Sequence, residues 1–275
     1  MMTGCASSKP IAPFETTLSV YRPAKHLVFI GLDGWGAAYV PDAEMPAVMR
    51  MMGQGAWSLN VRSVMPSNSL PNWTALFTGV ENDGNIKQTP SIFTLVKNEW
   101  PDSKTVFFFE WGELNNLCTD DETEKIAIRS DYESAVKAAD YIRENKPLFT
   151  AVVFNEPDSA GHNNRWGSAA YYAKLAELDS FIAIIEQAVI DAGLYEDTVF
   201  VLSSDHGGVL WGHGFRSQKQ RRIPLVIFGS GIKKGYEIPG RRSILDIAPA
   251  FAMILGLKIP DQWTGTILWD VFNEE

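Results

Sequence analysis

Five short stretches of this chain are apolar at nearly every position, not at every second one. They are His26–Gly31 (HLVFIG), Thr105–Phe109 (TVFFF), Phe149–Phe154 (FTAVVF), Thr198–Leu202 (TVFVL) and Arg221–Phe228 (RRIPLVIF). A strand with one wet face alternates apolar and polar residues, whereas a strand covered on both faces does not. Between these runs lie helical patterns: Met45–Gly53, Pro71–Phe77, Ser91–Trp100, Ser130–Asn145, Ser168–Ala192 and Leu245–Leu255, with a further strand over Ser58–Val64. In the longest, Tyr171, Leu175, Leu178, Ile182, Ile185 and Val189 keep one apolar face and Gly193 caps the end. Strands alternating with helices predict an α/β fold, a mostly parallel central sheet with helices on both faces. With 275 residues, 45% of them hydrophobic, the chain can fill such a core as one domain over 25–275. Residues 1–24 carry Pro10, Pro13 and Pro23 and no clear period, and read as an extended lead-in.

The net charge of −9 repels a nucleic-acid backbone, which argues against duplex binding. No uninterrupted apolar run reaches the length of a membrane span. Cys5 and Cys118 are too few for a disulfide framework or a cysteine-based zinc site. Thr3-Gly4-Cys5 followed by small polar residues resembles the end of a bacterial lipoprotein signal, without the apolar segment that should precede it. That reading makes the protein an exported or lipid-anchored one; the other reading is a disordered tail on a soluble chain.

The strand ends carry the chemistry. The first strand runs into Asp33-Gly34, the site where open α/β sheets place ligands. The strand Phe149–Phe154 leads to Asp158 and His162, read as a loop after a strand. The strand Thr198–Leu202 leads to Asp205 and His206, with His213 seven residues on. A carboxylate with imidazoles is a donor set for a zinc-like ion. Each stretch alone also suits a turn with an Asp cap. Together they hold three of the four histidines; His26, at the opposite end of its strand, is read as structural. Ser69 sits just before a helix that Pro71 opens, where free N–H groups favour an anion or alkoxide; a plain Ser N-cap is the alternative.

Val28–Gly34 (VFIGLDG), Ser69-Leu70-Pro71-Asn72, Glu156–His162 (EPDSAGH) and Ser204–Gly208 (SDHGG) together resemble the alkaline phosphatase superfamily, and within it the type I phosphodiesterase/nucleotide pyrophosphatase branch. Ile223–Ile227 through Leu245–Pro249 is similar to the superfamily's last strand and helix. The resemblance implies a hydrolase that cleaves small-molecule phosphoesters, nucleotide-like ones among them, through a serine nucleophile, Ser69, and a covalent phospho-enzyme. It implies two zinc ions, other divalent metals being alternatives. One is held by Asp33, Asp205, His206 and the Ser69 oxygen, the other by Asp158, His162 and His213. Four positive charges would then meet three carboxylates and an ionised serine.

The chain departs from that branch in three respects, one being that no residue specific for a nucleoside is identified. The branch has an insertion before its last histidine; here His213 follows too closely for a large cap, and a more open cleft is expected. The branch's phosphate-binding asparagine has no clear counterpart in Glu81–Gln88 (ENDGNIKQ), which leaves Asn85 or Asn72 as substrate contacts. Diesters are expected to be preferred, with Trp35, Leu70 or Trp73 facing the organic substituent. Arg165, or Arg216 in the run Arg216, Lys219, Arg221, Arg222, would reverse that preference by meeting a third phosphate oxygen; the other reading of the run is a solvated basic face. The alternatives are a monoesterase, a sulfatase-like hydrolase, and a catalytically idle metal-binding relative. Trp73 stands where the sulfatase pattern needs Arg.

Overall fold

A computed structural model describes residues 24–81 and 89–273. All of the lead-in 1–24 except Ala24, with Thr3-Gly4-Cys5, and the segment holding Asn85 lie outside the described residues. The strands are β1 (His26–Leu32), β2 (Ala56–Arg62), β3 (Thr105–Phe109), β4 (Glu124–Ala127), β5 (Phe149–Phe154), β6 (Thr198–Ser203), β7 (Arg222–Gly229), β8 (Tyr236–Glu237) and β9 (Arg242–Ser243). They form one sheet in the order β4-β3-β5-β1-β6-β7-β2-β8, with β9 also on β2. From β4 through β6 every pairing is parallel. β7 runs antiparallel to both β6 and β2, so the sheet is mixed but mostly parallel.

The helices are α1 (Pro46–Gln54), α2 (Ser69–Thr78), α3 (Ile92–Glu99), α4 (Asp131–Asn145), α5 (Asp158–Asn164), α6 (Ala169–Asp191), α7 (Gln218–Arg221) and α8 (Ile247–Ile254). The pleat sends successive side chains to opposite faces, and the continuous apolar strands use both. Leu27 and Phe29 of β1 join Trp73, Phe77, Phe93, Phe107, Phe149 and Phe251 on the face covered by α2, α3 and α8. Val28, Ile30 and Leu32 join Met51, Ala138, Phe154, Leu178, Ile182 and Phe200 on the face covered by α1, α4 and α6.

Capping follows the sequence signals. Ser91, Ser130 and Ser168 accept backbone N–H bonds at the starts of α3, α4 and α6. Gly79, at φ +63°, ends α2 in the left-handed conformation, and a Cβ there would crowd the Trp263 ring.

Three differences from the sequence expectation stand out. β4 (EKIA) was not expected; it is short, half polar and at the sheet edge. Asp158 and His162 lie on one face of the short helix α5, not in a loop. Ser69 is the first residue of α2, with Asn68 in the cap position.

Candidate metal centre and nucleophile

Strand direction builds the site. β5, β1 and β6 are adjacent and parallel, so the residues after Phe154, Leu32 and Ser203 emerge at one edge. Because β7 is antiparallel to β6 and β2, the C-terminal end of β2 reaches that same edge and feeds the turn before α2. Asp33, Asp158, Asp205, His206 and Ser69 thus converge from four strands, and the loop after β6 adds His213.

The geometry is close. Ser69 Oγ lies 3.1 Å from His206 Nε2 and donates to Asp33 Oδ1 at 3.3 Å. His206 Nε2 lies 3.2 Å from Asp205 Oδ2 and 3.5 Å from Asp33 Oδ1. On the other side, Asp158 Oδ2 is 3.4 Å from His162 Nε2, and His162 and His213 face each other Nε2 to Nε2 at 3.1 Å. Asp158 Oδ1 lies between the two groups, 3.7 Å from His213 Nε2 and 4.0 Å from His206 Nε2. Asp158, His162 and His213 form one set of donors that could hold a metal ion, and Asp33, Asp158 and His206 form another. Asp158 therefore belongs to both sets, which the sequence did not suggest.

The protonation pattern points the same way. Each of the three imidazoles has Nδ1 against a carbonyl oxygen: His162 on Trp211, His206 on Gly207 and His213 on Ser67. A neutral imidazole donating from Nδ1 presents a bare lone pair on Nε2. Two such lone pairs at 3.1 Å need something positive between them. Burial holds His206 below the ordinary imidazole range, and burial together with the neighbouring His206 takes His213 down to about 4. The two rings stack at 3.8 Å between centroids.

The carboxyls are strained in the opposite sense. Burial, with the Asp205 charge adding to it, pushes Asp33 up to about 8. Burial plus the charges of Asp33 and Asp205 pushes Asp158 up to about 9, and burial takes Asp205 to about 7. Asp158 Oδ1 and Asp205 Oδ2 are buried without a hydrogen-bond partner. A buried acceptor with nothing to accept from is costly unless a proton or a cation fills the gap.

Supporting contacts that the sequence did not disclose fix these donors. Trp73 Nε1 donates to Asp33 Oδ2 at 3.0 Å. Gly34 N donates to Asp205 Oδ1, and the Gly34 carbonyl accepts from Trp166 Nε1 and the Tyr171 hydroxyl. Ser204 Oγ accepts from Trp35 N, which ties the loop after β1 to the loop after β6. Asp131, at the start of α4, accepts from Asn155 N and Glu156 N in the turn that leads to Asp158.

Several expected substrate contacts take other roles. Asn72 is fully buried; its Oδ1 accepts from Val64 N, and its Nδ2 donates to the Pro66 and Asn68 carbonyls. No part of its amide remains for a phosphate, and it shapes the turn that presents Ser69 instead. Trp35 and Trp73 have no exposed surface and cannot face a substituent, whereas Leu70 is half-buried. Arg221 and Arg222 donate to the Ser63 and Leu59 carbonyls, while Arg216 and Lys219 are exposed, so half of the basic run is structural. Arg165 is exposed beside Trp211. His26 bonds to the Pro147 carbonyl, away from the site.

A mostly parallel sheet whose strand ends gather three aspartates, three histidines and a serine at a helix start defines an alkaline-phosphatase-like protein. The chain belongs to the type I phosphodiesterase/nucleotide pyrophosphatase family, whose model matches residues 27–117 and 94–210. Its fold is similar to that of murine ectonucleotide pyrophosphatase/phosphodiesterase 5, solved as an inactive variant with AMP. The TM-score is 0.76 at 11% identity, over 90% of this chain and 100% of that one. It is also similar to a 2-O GAG sulfatase, with a TM-score of 0.72 at 14% identity, over 89% of this chain and 73% of that one. Among curated proteins, human arylsulfatase K is 31% identical over 111 residues, 38% of this chain and 21% of the relative. GPI ethanolamine phosphate transferase 1 of Emericella nidulans is 26% identical over 260 residues, 76% of this chain and 28% of the relative. The chain thus spans a fifth to a quarter or so of the length of these relatives. Among the described residues no helix is long and apolar enough to cross a membrane.

Proposed function

We propose that this chain, as one catalytic domain over 25–275, is a two-metal hydrolase of small-molecule phosphodiesters or pyrophosphates, with Ser69 as nucleophile. The observation that carries the reading is the set of three Nδ1-anchored imidazoles whose Nε2 atoms converge with the carboxylates of Asp33 and Asp205, which are buried, and of Asp158, which is partly so. Asp33, Asp205, His206 and the Ser69 oxygen would hold one divalent cation. Asp158, His162 and His213 would hold the other, with Asp158 Oδ1 also close to the first set. Nitrogen and carboxylate donors of this kind suit zinc. When bound, the two ions supply Lewis acidity to a phosphoryl oxygen and lower the pKa of the hydroxyl they hold.

The chain's own residues do the rest. Ser69 stands in the first turn of α2, where unpaired N–H groups and the helix dipole favour a negative oxygen. Its Oγ gives up its proton to solvent and attacks phosphorus, the bond to the leaving oxygen breaks with its electron pair, and that oxygen takes a proton from solvent. Water then attacks the phosphorus of the phosphoseryl group and releases a proton to solvent, and the Ser69 oxygen leaves with its electron pair and takes a proton back from solvent. The carbonyls of Trp211, Gly207 and Ser67 keep the imidazole protons on Nδ1 throughout.

The test is turnover of bis(4-nitrophenyl) phosphate, 4-nitrophenyl phosphate and 4-nitrophenyl sulfate on one zinc-supplemented sample. The diester is expected to give the highest kcat/KM, because among the described residues no Lys or Arg side chain bonds to Asp33, Ser69, Asp158 or Asp205 to meet a third anionic oxygen. The similarity to arylsulfatase K favours a second reading, a sulfate- or monoester-cleaving enzyme. A dominant rate on either of those two substrates, with none on the diester, would replace the first reading by the second.

A further inference from the structure

Trp166 stands against both histidines of the group formed with Asp158. Its ring meets that of His162 edge to face at 4.9 Å between centroids, and that of His213 at 6.0 Å. The residue is buried, and both of its N–H groups are used on other turns. Nε1 donates to the Gly34 carbonyl at 3.0 Å, in the turn after β1. The backbone N donates to the Leu210 carbonyl at 2.8 Å, in the loop after β6. Trp166 itself follows α5, which carries Asp158 and His162. One side chain thus joins the three turns from which the candidate donors project.

The backbone bends to put the ring there. Arg165 and Gly167, its two neighbours, stand at φ +79° and +75°, and Leu210, which receives its N–H, stands at φ +55°. The described residues include three non-glycine positions at positive φ, and two of them, Arg165 and Leu210, adjoin Trp166. Such conformations persist only where the surroundings over-determine them, and they gather at functional sites. Space is also cleared for the ring. A Cβ added at Gly161 in α5, or at Gly208 after His206, would run into the Trp166 indole, which supplies the nearest atoms at both. Burial of an aromatic residue does not by itself require strained neighbours.

We propose that Trp166 is the positioning residue of one metal site: it fixes His162 and His213, and through them sets the affinity for the ion held with Asp158. The inference rests on the two-metal reading above and makes the two sites unequal. The carbonyls of Trp211 and Ser67 hold the Nδ1 atoms of His162 and His213, but a single hydrogen bond leaves a ring free to swing about it. The indole packed against both rings removes that freedom, the role that supporting contacts play around metal ligands. His162 needs it most, because 43% of its side chain is exposed, against 15% for His213 and none for His206. Among the described residues His206 makes no ring contact with Trp166 and stacks on His213 instead. The ion held by Asp33, Asp205 and His206 therefore does not depend on the indole directly.

The test is calorimetric titration of the metal-stripped full chain with zinc, with metal content measured after desalting. The wild type is expected to take up two ions. Trp166→Phe keeps a ring in the core but loses the bond to Gly34 and part of the contact with the histidines. It should weaken one ion roughly ten- to a hundredfold, the range for a lost supporting contact, and leave the other unchanged. Gly208→Ala displaces the ring without altering Trp166 and should have the same selective effect, which keeps the test intact if the Trp166 variant fails to fold. His162→Ala removes a ligand of the ion in question, so adding Trp166→Phe to it should leave the remaining ion's affinity where it was. Equal weakening of both ions, weakening of neither, or a further loss in the double variant would overturn the role of Trp166 while the two-metal reading stands. A wild-type chain that takes up fewer than two ions would overturn both.

Discussion

Ser67 and Ser69 are two residues apart on the same turn, but their hydroxyls do different work. Ser67 is fully buried; its Oγ donates to the Phe215 carbonyl and accepts from Gly214 N. Ser69 Oγ is half-buried against Asp33 and His206. Ser69→Ala should lose at least ~10³-fold in turnover, as for removal of a covalent nucleophile, while the protein still takes up metal through Asp33, Asp158, Asp205 and the histidines. Ser67→Ala deletes two hydrogen bonds of a buried hydroxyl, and about a tenfold loss with a lowered Tm is expected. Steady-state kinetics with metal analysis on both variants decides the point, and a reversed order would mean that Ser67 is the reacting group. The sequence pointed to Ser69 because a helix signal follows it directly. It misdirected Asn72 and the two tryptophans, since adjacency in a motif says nothing about which way a side chain faces on a buried helix.

At the level of elements, the turns after β1 and β5 set the position of Asp158. Gly34 stands at φ +72°, and a Cβ there would lie 2.9 Å from the Asp158 Cα. Gly34→Ala therefore meets backbone strain and a backbone clash together, and is expected to lower metal content and turnover more than ten-fold. Retention of both in the variant would show that the two turns are not coupled. Asp131 acts from the other side, through Asn155 N and Glu156 N. Burial lifts its carboxyl from 3.8 to about 7, with the two N–H bonds opposing the shift. The folded chain thus keeps a proton that the unfolded chain has released, so this group's contribution is complete at low pH and is lost as pH rises through about 7. Thermal melts of metal-loaded protein between about pH 5 and pH 8 should show Asp131→Asn losing less Tm than wild type over that interval. Equal slopes would remove Asp131 from the pH dependence.

The uninterrupted apolar strands were readable because burial on both faces leaves a composition that nothing else requires. β7 shares that composition although it is antiparallel, and direction leaves no trace in such a run. β4 escaped because an edge strand of four mixed residues looks like a loop. α5 (DSAGHNN) escaped for a related reason: Gly and Asn are poor helix formers, and only the tertiary position keeps Asp158 and His162 one turn apart.

For the whole molecule, the sheet does one thing for the chemistry: it delivers donors from β1, β5 and β6, and the serine from the turn after β2, to one edge. Burial, and for Asp33 and Asp158 repulsion by neighbouring carboxylates, raises the pKa values of Asp33, Asp158 and Asp205 at that edge, the electrostatic situation that a bound cation would relieve. That arrangement has a covalent consequence which can be seen without knowing the natural substrate. Metal-supplemented protein mixed with bis(4-nitrophenyl) phosphate and quenched in acid should carry a nitrophenyl phosphoryl group on the peptide containing Ser69, because a phosphoserine ester survives acid. The adduct should be absent from Ser69→Ala and from protein treated with chelator. Turnover of the diester with no adduct during a single turnover, or an adduct on Ser67 or on a histidine, would contradict the mechanism.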